Sequence, residues 1–181
     1  SIVNGEKQRI IESGLTYEES DVLVLAVKPH VLASVVPALK EEIAAKKPLV
    51  VSIAAGKTLD YLAELLPEGT PIVRVMPNIN AKIGASTNGM CANAYVTEEQ
   101  KAVVKGMFET IGTVIEVDEA HFGIFTVLAG SAPAFHYLYM DALARAAVKA
   151  GMPKKQALEI AAAAVEGSAK MVLESGMTCD L

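Results

Sequence analysis

Val73-Arg74-Val75-Met76-Pro77-Asn78-Ile79-Asn80 is an apolar run that stops at a Pro-Asn turn. It reads as a buried β-strand whose end carries polar groups. Two upstream runs have the same form, Val22-Leu23-Val24-Leu25-Ala26-Val27-Lys28-Pro29-His30 and Leu49-Val50-Val51-Ser52-Ile53-Ala54-Ala55-Gly56. Short apolar runs alternating with longer segments of helical period predict an α/β fold with a parallel sheet and crossover helices. In open sheets of this kind ligands bind at the carboxyl ends of the strands, so three such ends predict one binding crevice.

Working outward, the segment from Pro29 to about Ala45 places Val31, Val35, Leu39 and Ile43 four apart on one face, which predicts one amphipathic helix. Thr58 reads as the N-cap of a helix to Leu65, with Pro67 just past its end. Gly84, Thr87 and Gly89 suggest a further extended segment through about Cys91. Thr97 before Glu98, Glu99 and Gln100 predicts a capped helix to about Thr110. A strand from Val114 to Val117 follows.

From Glu119 onward Ala, Met and Leu dominate, and three helices are expected at about 119–129, 133–150 and 153–175. Gly151-Met152-Pro153 is a helix stop followed by a helix start. Ala161 to Ala164, with Gly167, Ser168 and Ala169, supplies small residues that let helices approach closely. With so little aromatic mass, this part of the chain is expected to pack against a partner subunit. At the other end, Gly14-Leu15-Thr16-Tyr17 could end a strand, yet only Glu18, Glu19 and Ser20 separate it from the strand at Asp21. A parallel crossover needs a dozen residues or more, so either the first segment is not a neighbouring parallel strand or residues are missing between the two, and the second is expected.

The bulk properties bound the function. A chain of 181 residues, 52% hydrophobic and 20% charged, can bury a real core in one or two domains. A net charge of −5 without a basic stripe excludes nucleic acid as the expected partner. Cys91 and Cys179 have no paired spacing and there are 3 histidines, so free thiols are expected and neither a disulfide framework nor a metal site is indicated. No apolar run approaches the ~18 residues of a membrane span. The opening Ser1-Ile2-Val3-Asn4-Gly5 lacks the profile of a signal peptide, and the expected compartment is the cytoplasm.

The strand ends carry the candidate chemistry. At Ala26-Val27-Lys28-Pro29-His30 a strand gives way to a helix whose first turn suits an anionic or polar ligand; an ordinary turn with a solvated lysine has the same residues. The small residues of Ser52-Ile53-Ala54-Ala55-Gly56 permit close approach of a flat ring or a sugar. Pro77 blocks continuation of the strand, while the Asn78 amide can both donate and accept, as a carboxamide ligand would require or as a turn would use. In Gly130-Ser131-Ala132-Pro133-Ala134-Phe135, Ser131 is a natural N-cap and Pro133 a natural first-turn residue. His30, inside the first turn after Pro29, is expected at the surface, and His121 and His136 fall on helical segments without a matching nucleophile motif, so no Ser-His-Asp arrangement can be argued.

AVKPH at 26–30, SIAAG at 52–56, RVMPN at 74–78 and GSAPAF at 130–135, in that order and with the tail Gly167 to Ser175, resemble the pyrroline-5-carboxylate reductase family from about Asp21 to Leu181. The resemblance implies a Rossmann-type parallel sheet, incomplete at its N-terminal end, over residues 1–118, followed by an all-helical dimerisation and substrate domain over 119–181. It also implies NADPH- or NADH-dependent reduction of 1-pyrroline-5-carboxylate to L-proline, in a homo-oligomer of at least two subunits. Carried over by position, Ala26, Val27, Lys28 and Pro29 would line the cofactor, with Ala54, Ala55 and Gly56 beside its ribose and nicotinamide. Met76, Pro77 and Asn78 would place the nicotinamide, and Ser131 and Ala132 would meet the ring substrate.

The chain departs from the family in having Ile79-Asn80 where Thr-Pro is usual and Ala132 where Gly is usual. Neither the family's opening GxGxxG loop nor its Ser-Pro-Gly-Gly-Thr-Thr type segment is found here, so the sequence is expected to be part of a longer one, and no catalytic residue is assigned. The alternatives are a 3-hydroxyacid type dehydrogenase, which would need a lysine on the long helix where Lys149 stands at its end, and a non-catalytic dimerisation protein.

Overall fold

The computed structural model describes residues 21–176; the segment Gly14 to Tyr17 and Cys179 lie outside them. The chain falls into two compact units, one ending at Ser131 and one beginning at Ala132.

The first unit is built on a five-stranded sheet in the order β1 (Val22–Leu25), β2 (Leu49–Ser52), β3 (Ile72–Met76), β4 (Ser86–Ala92), β5 (Gly112–Glu116). β1, β2 and β3 run parallel, with Val24 beside Val51 and Val51 beside Val73. Every residue of β2 is buried, as expected of a central strand covered on both faces. One face packs Leu23, Leu25, Val50 and Ile72 against Leu32, Val36, Leu39, Ile43 and Leu62 of the crossover helices. The other packs Leu49, Val51, Val73, Val75 and Met90 against Val104.

The expected parallel sheet is interrupted at one ladder. β4 pairs antiparallel with β3, with Arg74 opposite Cys91, and β5 then runs parallel to β4. The reason is length: only a short 3₁₀ turn, Ile79–Ile83, links β3 to β4, and a parallel return needs a crossover of a dozen residues or more. Close packing here depends on Gly89, where a Cβ would lie 2.5 Å from the Phe125 ring.

The single helix expected over 29–45 is two, α1 (Leu32–Ala38) and α2 (Lys40–Lys46), parted at Leu39. Pro37, inside α1, lacks the N–H of the helical ladder and crowds the preceding turn. α3 (Leu59–Leu65) begins as expected, with the Thr58 hydroxyl accepting from the Tyr61 N–H. α4 (Glu98–Glu109) carries a full capping box between Thr97 and Gln100.

The helix expected at 119–129 is three short pieces: a 3₁₀ turn Glu119–His121, α5 (Phe122–Phe125) and a π-helical stretch Thr126–Ser131. Side chains compete for its carbonyls: the Thr126 hydroxyl donates to Phe122 O at 2.8 Å and Asn78 Nδ2 donates to Ala129 O at 3.1 Å. Residues 119–131 contact the sheet at Arg74 and Gly89, the turn at Asn78 and the start of α3 at Leu59.

The second unit is a helical hairpin of α6 (Ala132–Lys149) and α7 (Lys154–Ser175). Gly151, at φ 95°, and Pro153 form the corner, where the Gly151 and Met152 N–H groups bond back to Val148 O and Ala147 O. Its buried residues are Pro133, Ala144, Ala157 and Ala161, and the three alanines let the two helices approach closely.

Candidate functional site

The carboxyl ends of β1 and β2 form a cleft of about 360 Å³ lined by Ala26, Val27, Lys28, Pro29, Ile53, Ala54 and Ala55. Two motifs singled out from sequence thus become one surface. Register explains it: Leu25 pairs with Ser52, and the Ile53 N–H donates to Leu25 O at 3.2 Å, so the two exits leave the sheet side by side. Alanine at 26, 54 and 55 keeps the walls thin. Gly56 lies just beyond, at φ 72°, the left-handed turn that glycine adopts without strain.

Pro29 does not open a helix as expected. It lies in a turn in which the Val31 N–H donates to Lys28 O at 2.9 Å, and α1 starts only at Leu32, with no side-chain cap. Lys28 and His30 are exposed.

The β3 end makes a second cluster within the same unit. Asn78 Nδ2 donates to Ala129 O, and its Oδ1 accepts from the Asn80 N–H at 3.0 Å. The Asn78 N–H donates to Ser86 Oγ at 3.0 Å, and the Ser86 hydroxyl donates to Asn88 Oδ1 at 2.7 Å. The Met76 side chain lies against Gly130, where a Cβ would be 3.1 Å from its methyl carbon. Met76, Pro77 and Asn78 are therefore brought together with the backbone just before Ser131. The Asn78 amide does structural work, with one N–H and one lone pair left for a ligand.

Ser131 is not the N-cap that the sequence suggested. It is the last residue of the π-helical stretch and is itself helical and exposed, so the orphan N–H groups of a helix start are not available there. Ala132 opens α6 in the other unit.

Sequence reasoning assigned no role to Arg74 and Glu119. Arg74 is only 7% exposed in the middle of β3. Its Nη1 donates to Glu119 Oε1 at 2.6 Å, and its guanidinium carbon stands 4.4 Å from the centre of the Phe122 ring. The same Glu119 oxygen accepts from the Leu59 N–H at 2.6 Å, at the start of α3. An arginine in an otherwise apolar strand was the available signal, because a buried guanidinium demands a partner.

Cys91, opposite Arg74, borders a second cleft of about 320 Å³ with Met90, Lys101, Glu116, Asp118 and Glu119. Burial pushes its thiol up to about 11; Arg74 draws it down and Glu119 adds to the rise. Such a thiol is protonated and unreactive at neutral pH. Among the described residues no three His, Cys, Asp or Glu side chains are grouped to hold a metal ion, and no helix is long and apolar enough to cross a membrane.

A mainly parallel sheet with crossover helices, a cleft at its strand ends and a following helical unit define a Rossmann-type α/β protein with an appended helical domain. The model of a family described as "Pyrroline-5-carboxylate reductase dimerisation" matches residues 119–180, and that of "NADP oxidoreductase coenzyme F420-dependent" matches 7–56. The pyrroline-5-carboxylate reductase of Methanosarcina acetivorans is 43% identical over 166 residues, 92% of this chain and 61% of that protein. The structure of 1-pyrroline-5-carboxylate reductase from Streptococcus pyogenes superposes with TM-score 0.80 at 34% identity, covering 99% of this chain and 70% of that one. That of the Plasmodium falciparum enzyme with NADP bound gives TM-score 0.80 at 30% identity, covering 90% and 64%. The chain belongs to the pyrroline-5-carboxylate reductase family. It spans about three-fifths of the length of the M. acetivorans relative.

Proposed function

We propose that the protein is an NADPH- or NADH-dependent reductase that converts 1-pyrroline-5-carboxylate to L-proline. The observation that carries this reading is the single cleft formed by Ala26–Pro29 and Ile53–Ala55 at the ends of parallel strands, in a chain of this family. Its residues fit a dinucleotide: small side chains and turn backbone admit a sugar and a flat ring, and Lys28 stands exposed beside them. The bound nicotinamide would supply hydride to the imine carbon while the ring nitrogen takes a proton.

What this chain adds is alignment. Ala26, Val27, Lys28 and Pro29 hold the cofactor along one wall, with Ala54, Ala55 and Gly56 along the other. Met76, Pro77 and Asn78 seat the nicotinamide end, and Ser131 and Ala132 meet the substrate. Because hydride transfer needs little acid–base machinery, near-attack geometry is the main contribution of the protein.

We take 1–118 as the dinucleotide-binding domain and 119–181 as the helical dimerisation and substrate domain. Leu138, Ile160 and Leu173 are 70%, 52% and 83% exposed on α6 and α7, more apolar surface than a hairpin with an alanine seam can cover alone. A second copy of the chain would cover it, in a cytoplasmic homo-oligomer. The function is tested by following NADH and NADPH oxidation side by side in the intact protein with pyrroline-5-carboxylate as acceptor; no turnover with either cofactor overturns it.

A further inference from the structure

Glu119 joins three stretches of chain that the sequence holds far apart. Its Oε1 takes the N–H of Leu59, which follows the Ala54–Gly56 loop, and Nη1 of Arg74, which precedes Met76 by two residues. Glu119 itself leads the segment that ends at Ser131. Phe122 stacks on the guanidinium, so the planar fork is held on its face by a ring and at its end by a carboxylate.

Folding alone does not account for this arrangement. An apolar side chain at 74 could be buried on its own face of β3, as Ile72 is two residues earlier, and replacing a buried ion pair by apolar residues of similar volume is often neutral or stabilising. What an apolar residue could not do is tie the start of α3 to the end of β3. We propose that Arg74 and Glu119 are positioning residues for the dinucleotide: one carboxylate oxygen sets the spacing between the loop at 53–57 and the strand end Met76–Asn78, and hence between the two walls of the nicotinamide site. This rests on the dinucleotide reading given under Proposed function. Neither residue touches the cofactor; both act through the loops they tether.

The test is NADPH titration by fluorescence on the intact protein, with steady-state kinetics, for Glu119→Ala, Glu119→Gln, Arg74→Lys and Val104→Ala. Glu119→Ala weakens NADPH binding by about tenfold as the competent loop arrangement becomes a minor population. Glu119→Gln keeps an acceptor for the Leu59 N–H and Arg74→Lys keeps a charge, so each loses less. Val104→Ala, on the other face of the sheet, lowers the melting temperature but leaves NADPH affinity unchanged. Glu119 and Arg74 variants that bind NADPH within twofold of wild type overturn the positioning role alone, whatever their stability; if Glu119→Ala does not fold, Glu119→Gln and Arg74→Lys decide. Failure of the wild type to bind either NADPH or NADH overturns the dinucleotide reading and this proposal with it.

Discussion

Replacing Asn78 by alanine removes two hydrogen bonds at once, Nδ2 to Ala129 O at 3.1 Å and Asn80 N–H to Oδ1 at 3.0 Å. Both are half-buried, and at about 1 kcal/mol net for each the variant should lose roughly 2 kcal/mol. For a chain of this size that is a fall in melting temperature of about 4–8 °C. Asn78→Asp is the sharper probe. Its carboxylate still accepts from the Asn80 N–H but faces the Ala129 carbonyl oxygen without a proton to share. The folded state then disfavours the ionised form, which raises the carboxyl pKa above its ordinary value. Stability from this source is present below the ordinary aspartate range near ~4 and is lost as pH rises through the raised folded value. The deficit of the Asp variant relative to wild type should therefore shrink on acidification, while that of the Ala variant should not. Urea denaturation at several pH values measures both, and hydrogen exchange at 126–131 reports loosening of the π-helical stretch. An Asn78→Ala variant within about 0.5 kcal/mol of wild type, below the usual worth of even one such bond, would refute the assignment of the amide to these partners.

Gly89→Ala puts a methyl group 2.5 Å from the Phe125 ring and should cost about 2 kcal/mol, partly recovered by Phe125→Leu in the same chain, as read by urea midpoints. Unfolded Cys91 loses its proton near 9.0 but folded Cys91 only near 11, so stability from this group is full below pH 9 and falls as pH rises towards 11. Cys91→Ala should flatten that fall, and alkylation of native Cys91 at pH 8 should be slow. Leu138→Glu places a charge on the exposed face of α6 and should shift sedimentation of the intact protein towards the monomer; unchanged sedimentation counts against that face as the contact.

Much of this was legible in order along the chain. β1, β2 and β3 follow from their apolar runs, the starts of α3 and α4 from Thr58 and Thr97, and the α6–α7 corner from Gly151 and Pro153. Each depends on residues within a few positions of one another, where propensity and capping act. The break between α1 and α2 had a local signal too, in Pro37, but the regular spacing of Val31, Val35, Leu39 and Ile43 outweighed it. The antiparallel turn into β4 and the π-helical stretch had weaker signals, because chain direction and carbonyl competition are settled by neighbours in space.

The sequence by itself determined the fold class, the strand ends that carry the candidate site, and the family. Only the tertiary structure decided that AVKP and IAA form one cleft, that Asn78 spends its amide on Ala129, and that Glu119 binds both Arg74 and the start of α3. The physical reason is separation: local backbone preferences act over a turn or two, whereas residues 45 and 51 positions apart meet only where sheet order and register carry them together.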